Sequence, residues 1–212
     1  NEGEAFPSGT ITGDVLNHGT LRPDSNIVYT TPGRIYGDVK QAADGILVAN
    51  MRPDGGYVSV TGRADIDGTL QLEQATDNSF GAPVAPPATP FSMQVLHADG
   101  GVFGQFAQWT SPGLFITGSV RYLANDVFFD ASSISAAQAM AAARAGDAVT
   151  LSAASRFDAA LGNATGRAGA IPESPTDAQR RLLASAGVIQ RLRTWDQAIR
   201  TFDSLSGSGY AT

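Results

Sequence analysis

Cysteine is absent from the 212 residues, and lysine occurs only once, as Lys40. Without cysteine the chain has no disulfide framework, no thiolate ligand for zinc and no cysteine nucleophile. The formal net charge of -6 and the single lysine also argue against a nucleic-acid-binding surface, because such a surface needs Lys and Arg clustered on one face. We therefore expect no nucleic acid as a partner.

Long apolar runs are missing as well. No stretch of about 18 apolar residues occurs, and the residues after Asn1 lack the basic and apolar regions of a signal peptide. The sequence thus predicts neither a membrane helix nor a signal peptide, and we expect a soluble segment of a longer protein.

Groups that could carry out catalysis are scarce. His18 and His97 are the only imidazoles, and neither lies in a motif that offers a nucleophile. The G-x-S-x-G elbow is absent, and Asp65-Ile66-Asp67-Gly68 is too short for a calcium loop, which indicates a solvated turn. We expect no catalytic, cofactor-binding or metal-binding residue, no cofactor and no small-molecule substrate.

The composition changes partway along the chain. Residues 1–130 are rich in Gly, Thr, Val and Asp, whereas residues 131–206 are rich in Ala, Ser, Arg and Gln. We predict a β region at 1–130, an α-helical segment at 131–207 and a linker end at 208–212.

Short phrases recur in the β region. Gly13-Asp14-Val15 returns as Gly37-Asp38-Val39 after 24 residues, and Gly19-Thr20-Leu21 returns as Gly68-Thr69-Leu70. A period of 20 to 50 residues is typical of stacked repeats.

Apolar residues alternate with polar ones between the turns, which is the pattern of a half-buried strand. The alternation favours a solenoid and an antiparallel sandwich equally. Residues 73–90 break it and predict a protruding loop. Five even-numbered residues are predicted to fill the interior: Val58, Val60, Ile66, Leu70 and Leu72.

Helical spacing dominates the remainder. Two short helices are predicted, one over Ser135–Arg144 and one ending at Gly162, and a longer helix is predicted to start with Ser174 as N-cap. The longer helix is expected to end at Gly207, to bury one apolar face and to expose its arginines, Arg191 among them. An amphipathic helix of this kind packs against protein or lies on a membrane, and interspersed acids favour protein.

Four phrases carry a family resemblance. In chain order they are Asn17–Pro23, Val58–Leu70, Val95–Phe106 and Tyr122–Val127. They resemble, in the same order, the closing phrases of the passenger of type Va autotransporters, in its C-terminal autochaperone region. The resemblance implies a mainly β fold class, a right-handed parallel β-helix with an autochaperone cap, followed by an α-helical C-terminal segment.

The last phrase, Phe202–Gly207, resembles the one that precedes the translocator in autotransporters with subtilisin-like serine protease passengers, whereas the residues after it depart from that pattern. The resemblance implies a non-catalytic segment that seeds folding of the passenger and supports its secretion through the periplasm to the surface of a Gram-negative bacterium. Its partners would be its own upstream passenger and a downstream outer-membrane β-barrel, and the five interior residues named above would form the folding seed.

Other functions remain open. The chain can be an adhesin-type module that binds a host surface or matrix through the loop at 73–90 or through a face of the solenoid. It can also belong to a larger secreted serine protease whose catalytic domain lies upstream. A polysaccharide lyase or hydrolase would need carboxylates and basic residues clustered on one face, and the acids are scattered among turns.

Overall fold

The computed structural model describes residues 3–5, 10–22, 33–51, 57–73, 91–111, 113–165 and 176–207. Within these ranges the strands come first along the chain and four helices follow. From residue 74 onward, the predicted loop at 73–90 lies outside the described residues.

Fifteen short strands make up the first part. They are β1 (Glu4–Ala5), β2 (Thr10–Thr12), β3 (Val15–Asn17), β4 (Thr20–Leu21), β5 (Gly33–Tyr36), β6 (Val39–Gln41), β7 (Ile46–Asn50), β8 (Val58–Val60), β9 (Ala64–Ile66), β10 (Thr69–Glu73), β11 (Phe91–Ala98), β12 (Val102–Gly104), β13 (Gln108–Thr110), β14 (Ile116–Tyr122) and β15 (Asp126–Ser133).

The strands form three sheets, each of which takes every third strand of the chain as far as β13. The orders are β1-β4-β7-β10-β13, β14-β15-β11-β8-β5-β2 and β12-β9-β6-β3. The pairs within the run β1 to β13 are parallel, for example β3 with β6 and β5 with β8. Val15 lies opposite Val39, so residues 24 apart are neighbours, as the recurring Gly-Asp-Val phrase predicts.

The predicted alternation is confirmed in β8, β9 and β10. In each strand the even-numbered residues are buried and the odd-numbered residues are partly exposed. Successive side chains of a strand point to opposite faces, so the buried set lies on one side of its sheet.

The chain ends its strand region with a hairpin. Only residues 123–125 separate β14 from β15. A parallel connection needs a crossover of a dozen or more residues, so these two strands run antiparallel.

The predicted fold class is wrong. Instead of a mainly β protein in the form of a right-handed parallel β-helix with a helical tail, the described residues form three parallel-rich sheets and four helices, which is a mixed fold. The helical residues enclose a core of their own. A separate hydrophobic core makes them a structural unit in their own right.

The helices are α1 (Ala136–Ala142), α2 (Ala148–Thr165), α3 (Asp177–Gln190) and α4 (Trp195–Ser206). Side-chain caps define three of the starts: Ser135 accepts from the Gln138 amide, and Thr176 and Thr194 accept from the amides three residues on. Gly207 ends α4 with φ +77°, a left-handed conformation that glycine adopts without a Cβ clash, so the predicted C-cap is confirmed.

The other predicted helix limits need correction. Helix α2 continues through Gly162, and α3 begins after Thr176, which forms a capping box with Gln179, whereas the predicted cap Ser174 lies outside the described residues. The predicted long helix is broken between α3 and α4, because Thr194 caps a new helix.

Arg191 was predicted on the exposed side of that helix and is instead 5% exposed. Its Nη1 donates to the Gly187 carbonyl at 2.9 Å. Burial penalises the charged guanidinium and lowers the pKa of Arg191 to about 10.

Contacts divide the chain into two compact units. The first comprises residues 1–84, 92–111 and 119–130, and the second comprises 85–91, 112–118 and 131–212. We call them the strand unit and the helical unit. The predicted domain limits of 1–130, 131–207 and 208–212 stay predictions, and residues 208–212 lie outside the described residues.

Aromatic rings organise the core of the helical unit. Phe115 meets Phe202 edge to face, with ring centroids 6.1 Å apart, and Phe157 lies 5.8 Å from Phe202. Small residues such as Ala154 and Ala186 are fully buried beside them and let the helices approach closely. No helix in the described part of the chain is both long and apolar enough to cross a membrane.

Candidate functional site

The four-stranded sheet is preceded by a stack of similar turns. The turns are Gly13-Asp14, Gly37-Asp38, Gly62-Arg63 and Gly100-Gly101, and each leads into one strand of that sheet. We call this set the turn ladder. It belongs entirely to the strand unit.

Backbone hydrogen bonds connect each turn of the ladder to the next. The Val15 N–H donates to the Asp38 carbonyl at 2.8 Å, and the Val39 N–H donates to the Arg63 carbonyl at 2.8 Å. The third step repeats the pattern, since the Ala64 N–H donates to the Gly101 carbonyl at 3.0 Å. The same donor and acceptor positions thus recur at every step.

Aspartate carboxylates add a second bond in the opposite direction. Asp14 Oδ1 accepts from the Asp38 N–H at 2.8 Å, and Asp38 Oδ1 accepts from the Arg63 N–H at 2.7 Å. A carboxylate that accepts from a backbone N–H makes a stronger bond than a neutral acceptor. Each Gly-Asp turn therefore contacts its successor through both its backbone and its side chain.

Glycine is required where successive turns approach each other. A Cβ on Gly37 would lie 2.5 Å from the backbone of Gly13, and a Cβ on Gly62 would collide with Asp38 and with the backbone of Gly37. Gly13 differs, because a Cβ there would meet nothing within 4 Å. The Gly13 turn is thus the only one of these three that no earlier described turn covers.

The hairpin between β14 and β15 closes the other end of the ladder. The Val102 N–H, which would point to a further turn, donates to the Ala124 carbonyl at 2.8 Å. Asn125 Nδ2 donates to the carbonyls of Ala98 at 2.7 Å and Asp99 at 3.0 Å. The hairpin therefore occupies the position that the next turn would take.

His97 strengthens this closed end. Its Nδ1 lies 2.7 Å from Asp126 Oδ1 on the hairpin, and its Nε2 lies 3.1 Å from Asp99 Oδ1. The hydrogen bond to Asp126, together with that to Asp99, raises the pKa of His97 above its usual value of 6.5, although burial opposes the shift. Gln94 Nε2 also donates to Asp126 Oδ1.

The opposite end of the ladder is open. Among the described residues, neither the N–H nor the carbonyl of Asp14 has a hydrogen-bond partner in the direction of earlier chain. Strand β2 is likewise the end strand of the six-stranded sheet, and β1 and β3 are the end strands of the other two. The strands nearest the start of the chain are thus at the end of every sheet.

The five residues predicted as a folding seed lie inside the strand unit. Val58, Val60 and Leu70 are 0% exposed, Leu72 is 3% exposed and Ile66 is 6% exposed. They come from β8, β9 and β10, which belong to the three different sheets. Their burial agrees with a core position, and their role as a seed stays a prediction.

A buried polar pair was missed in the sequence. Asn17 is 0% exposed and Gln41, its register partner, is 5% exposed. Asn17 Nδ2 donates to Gln41 Oε1 at 2.9 Å and to the Ile46 carbonyl at 3.2 Å, so the amide groups satisfy each other and the backbone. The 24-residue spacing of two amide side chains was the available signal.

The two histidines are far apart in the sequence and contact different carboxylates. Nδ1 of the exposed His18 is 2.9 Å from Asp44 Oδ1, whereas His97 lies between Asp126 and Asp99 as described. Within the described ranges no group of three or more His, Cys, Asp or Glu side chains forms a metal site. The expectation that the chain has no catalytic or metal-binding residue remains a prediction.

An open groove of about 430 Å³ follows the outer face of the four-stranded sheet. Leu16, Lys40, Asp65 and Phe103 are register partners on consecutive strands and line it. Phe103 is 45% exposed, and the Arg63 guanidinium lies 4.0 Å from its ring centroid. Charged and aromatic side chains that are scattered in the sequence thus share one face.

Comparisons with known proteins give no assignment. No family model matches the chain, and no curated protein matches it.

Proposed function

We propose that this chain is a non-catalytic segment of an autotransporter passenger that seeds folding of the chain before it and so supports secretion across the outer membrane. Its partners are its own upstream passenger and a downstream outer-membrane β-barrel. Its destination is the surface of a Gram-negative bacterium, which it reaches through the periplasm.

One observation carries the proposal: the turn ladder is closed by the hairpin at Asn125 and open at Asp14. An end strand can pair with an added strand, whereas a covered end cannot. Because the open end is the one nearest the start of the chain, earlier polypeptide can add to it strand by strand. A segment that adds in this way is ordered only if the receiving turns are already formed.

The closed end gives the seed its own stability. The hairpin supplies hydrogen-bond partners for backbone groups that would otherwise have none at the end of a parallel stack. His97, which belongs to β11, also contacts Asp126 of the hairpin. An edge that is covered in this way also resists pairing with other chains.

The proposal is tested in the longer polypeptide with Leu70→Asp. This change places a carboxylate in the dry interior of the strand unit, so the seed unfolds, and the upstream passenger is expected to lose protease resistance although none of its residues was changed. Adding the wild-type chain in trans should partly restore that resistance.

A matched control is Leu205→Asp, because Leu205 is 57% exposed and its substitution leaves both cores intact. Normal secretion and full protease resistance of the Leu70→Asp passenger, with the strand unit shown to be unfolded, would leave the chain as a spacer and reject the seeding role.

A second function, an adhesin-type binding module, is favoured by the groove beside Phe103. It combines an exposed ring with Lys40 and Asp65, which is the kind of mixed surface that binds a polar partner. Host-surface binding that is lost in Phe103→Ala and Lys40→Ala, with unchanged secretion, would support this function over seeding.

A further inference from the structure

The Gly13-Asp14 turn exposes the backbone carbonyl that every later turn of the ladder uses and the N–H that the next two turns use. At each step the later residue, Asp38, Arg63 or Gly101, accepts from the strand N–H that follows the earlier turn. Asp38 and Arg63 in addition donate their N–H to the carboxylate of the earlier turn. Asp14 holds the corresponding position at the open end.

The missing partner can be described from these bonds. It must offer a carboxylate to the Asp14 N–H and a backbone N–H to the Asp14 carbonyl, as Asp14 and Val15 do for Asp38. Its backbone can approach Gly13 closely because Gly13 has no Cβ, as the Gly13 backbone approaches Gly37. A Gly-Asp-X phrase meets both needs, because Gly13-Asp14-Val15 and Gly37-Asp38-Val39 supply the same carboxylate and N–H to the turns that follow, with their glycines at φ +111° and +155°.

We propose that Asp14 recognises a Gly-Asp-X turn in the chain segment that precedes Asn1 in the same polypeptide, one step of the ladder before the Gly13-Asp14 turn. The proposal rests on the seeding function and names the chemistry of the segment that is seeded. The carboxylate sets the register, since a shift by one residue would move it away from the Asp14 N–H and would turn the apolar face of the strand outward.

A second copy of this chain fits the open end poorly. Two open ends that meet would bring one Asp14 N–H against another, and each Asp14 carboxylate already accepts from an Asp38 N–H. An open end that meets a closed end would find the hairpin, whose Asn125 amide group already donates to Ala98 and Asp99. The preceding segment is the occupant that supplies the missing acceptor.

The test inserts a second copy of residues 10–33 directly before Thr10, which places a new Gly-Asp-Val phrase one period before Gly13. Amide hydrogen exchange of Asp14 is the readout, since only this N–H gains a carboxylate partner. We expect its exchange to slow by about tenfold or more, the effect of one hydrogen bond to a charged acceptor. The matched control carries Asp14→Ala in the inserted copy alone.

The insertion variant and its control separate the recognition from the seeding function. Slow Asp14 exchange that returns to the parent rate in the control supports the proposal. Equal protection in both variants means that the insert is ordered without its carboxylate, which overturns the recognition and leaves seeding intact.

An insert that stays protease-sensitive and leaves Asp14 exchange unchanged overturns both. The Asp38 and Arg63 amides report in the same experiment that the receiving turns are formed. If the insertion loosens them, a peptide of residues 10–33 added to the unmodified chain provides the same readout, and sedimentation shows whether copies associate instead.

Discussion

The two ends of the turn ladder are built from the same kind of turn and differ in what covers them. At Asn125 a hairpin fills the next position with side-chain and backbone bonds, whereas at Asp14 the equivalent backbone groups have no partner among the described residues. A stack that is closed at one end can grow only at the other. The difference therefore means that the strand unit can be extended only at Asp14, by residues that precede it in the chain.

The largest loss of stability is expected from a change that unfolds the whole strand unit, including both ends of the ladder. Leu70→Asp buries an unpaired carboxylate between the sheets and should lower the free energy of unfolding of the strand unit by roughly 4 kcal/mol or more, so both ends are lost together. Urea unfolding followed by circular dichroism measures it. Leu205→Asp, on the exposed face of α4, should change the free energy by less than about 0.5 kcal/mol, and equal losses in the two variants would contradict the assignment of the core.

The next largest effect concerns the close approach of turns. Gly62→Ala puts a methyl group against Asp38 and the Gly37 backbone, which cannot move without breaking the ladder, so we expect a loss of about 1–3 kcal/mol. Gly162→Ala is the matched control in α2, where a Cβ meets nothing within 4 Å and Ala is the better helix former, and it should gain about 0.5–1 kcal/mol. The stack is wrong as described if Gly62→Ala is neutral in thermal unfolding.

A smaller effect sharpens the comparison of the ends. Asn125→Ala removes two hydrogen bonds from the closed end and should cost about 1–2 kcal/mol, with faster amide exchange at Val102. The loss should not reach Asp14, because nothing there depends on the hairpin. Exchange that rises equally at both ends would mean that the hairpin stabilises the whole unit and does not act as a local cap.

The smallest effect is a pH dependence of the closed end. Because Asp126 and Asp99 raise the pKa of His97, the protonated ring stabilises the fold below its unfolded pKa of about 6.5. This stabilisation is lost as the pH rises through the raised folded value. The urea midpoint should therefore fall as the pH rises above about 6.5, and His97→Gln should flatten that part of the profile. An unchanged slope in the variant would show that other groups cause it.

The repeats in the sequence predicted stacked units, and the two copies of the Gly-Asp-Val phrase are neighbours in one sheet. Two Gly-Asp-Val phrases 24 residues apart are enough to place Val15 opposite Val39, and the alternation of β8 and β10 follows from the period of a strand. The spacing gives no guidance beyond Gly62, because 38 residues separate Arg63 from Gly101, its counterpart in the ladder.

Three features of the structure could not be predicted from the sequence patterns used: the hydrogen bonds of Asn125, the burial of Arg191 and the break before α4. Asn125 acts through carbonyls that are distant in sequence, and a single amide in a hairpin carries no periodic signal. Arg191 was assigned to the surface because charged residues are rarely buried. The break before α4 had a local signal in Thr194, which was overlooked because the apolar spacing continues across it.

Phe103 shows why residue type alone is a poor guide to burial. Aromatic residues usually pack in a core, and Trp109 does meet Phe129 at 5.0 Å, but Phe103 is 45% exposed beside Arg63. Its odd position in β12 turns it outward, opposite Asp65. The register of the strand, and not the preference of phenylalanine for burial, decides which face this side chain is on.

Amide hydrogen exchange on the chain alone tests most directly whether the ladder is open at one end and closed at the other. The account predicts slow exchange at Asp38, Arg63 and Val102, whose N–H groups donate to Asp14, Asp38 and Ala124, and fast exchange at Asp14. In the longer polypeptide Asp14 alone of these four should become slow. An Asp14 amide that already exchanges as slowly as Asp38 in the isolated chain would contradict the open end and, with it, the direction of growth.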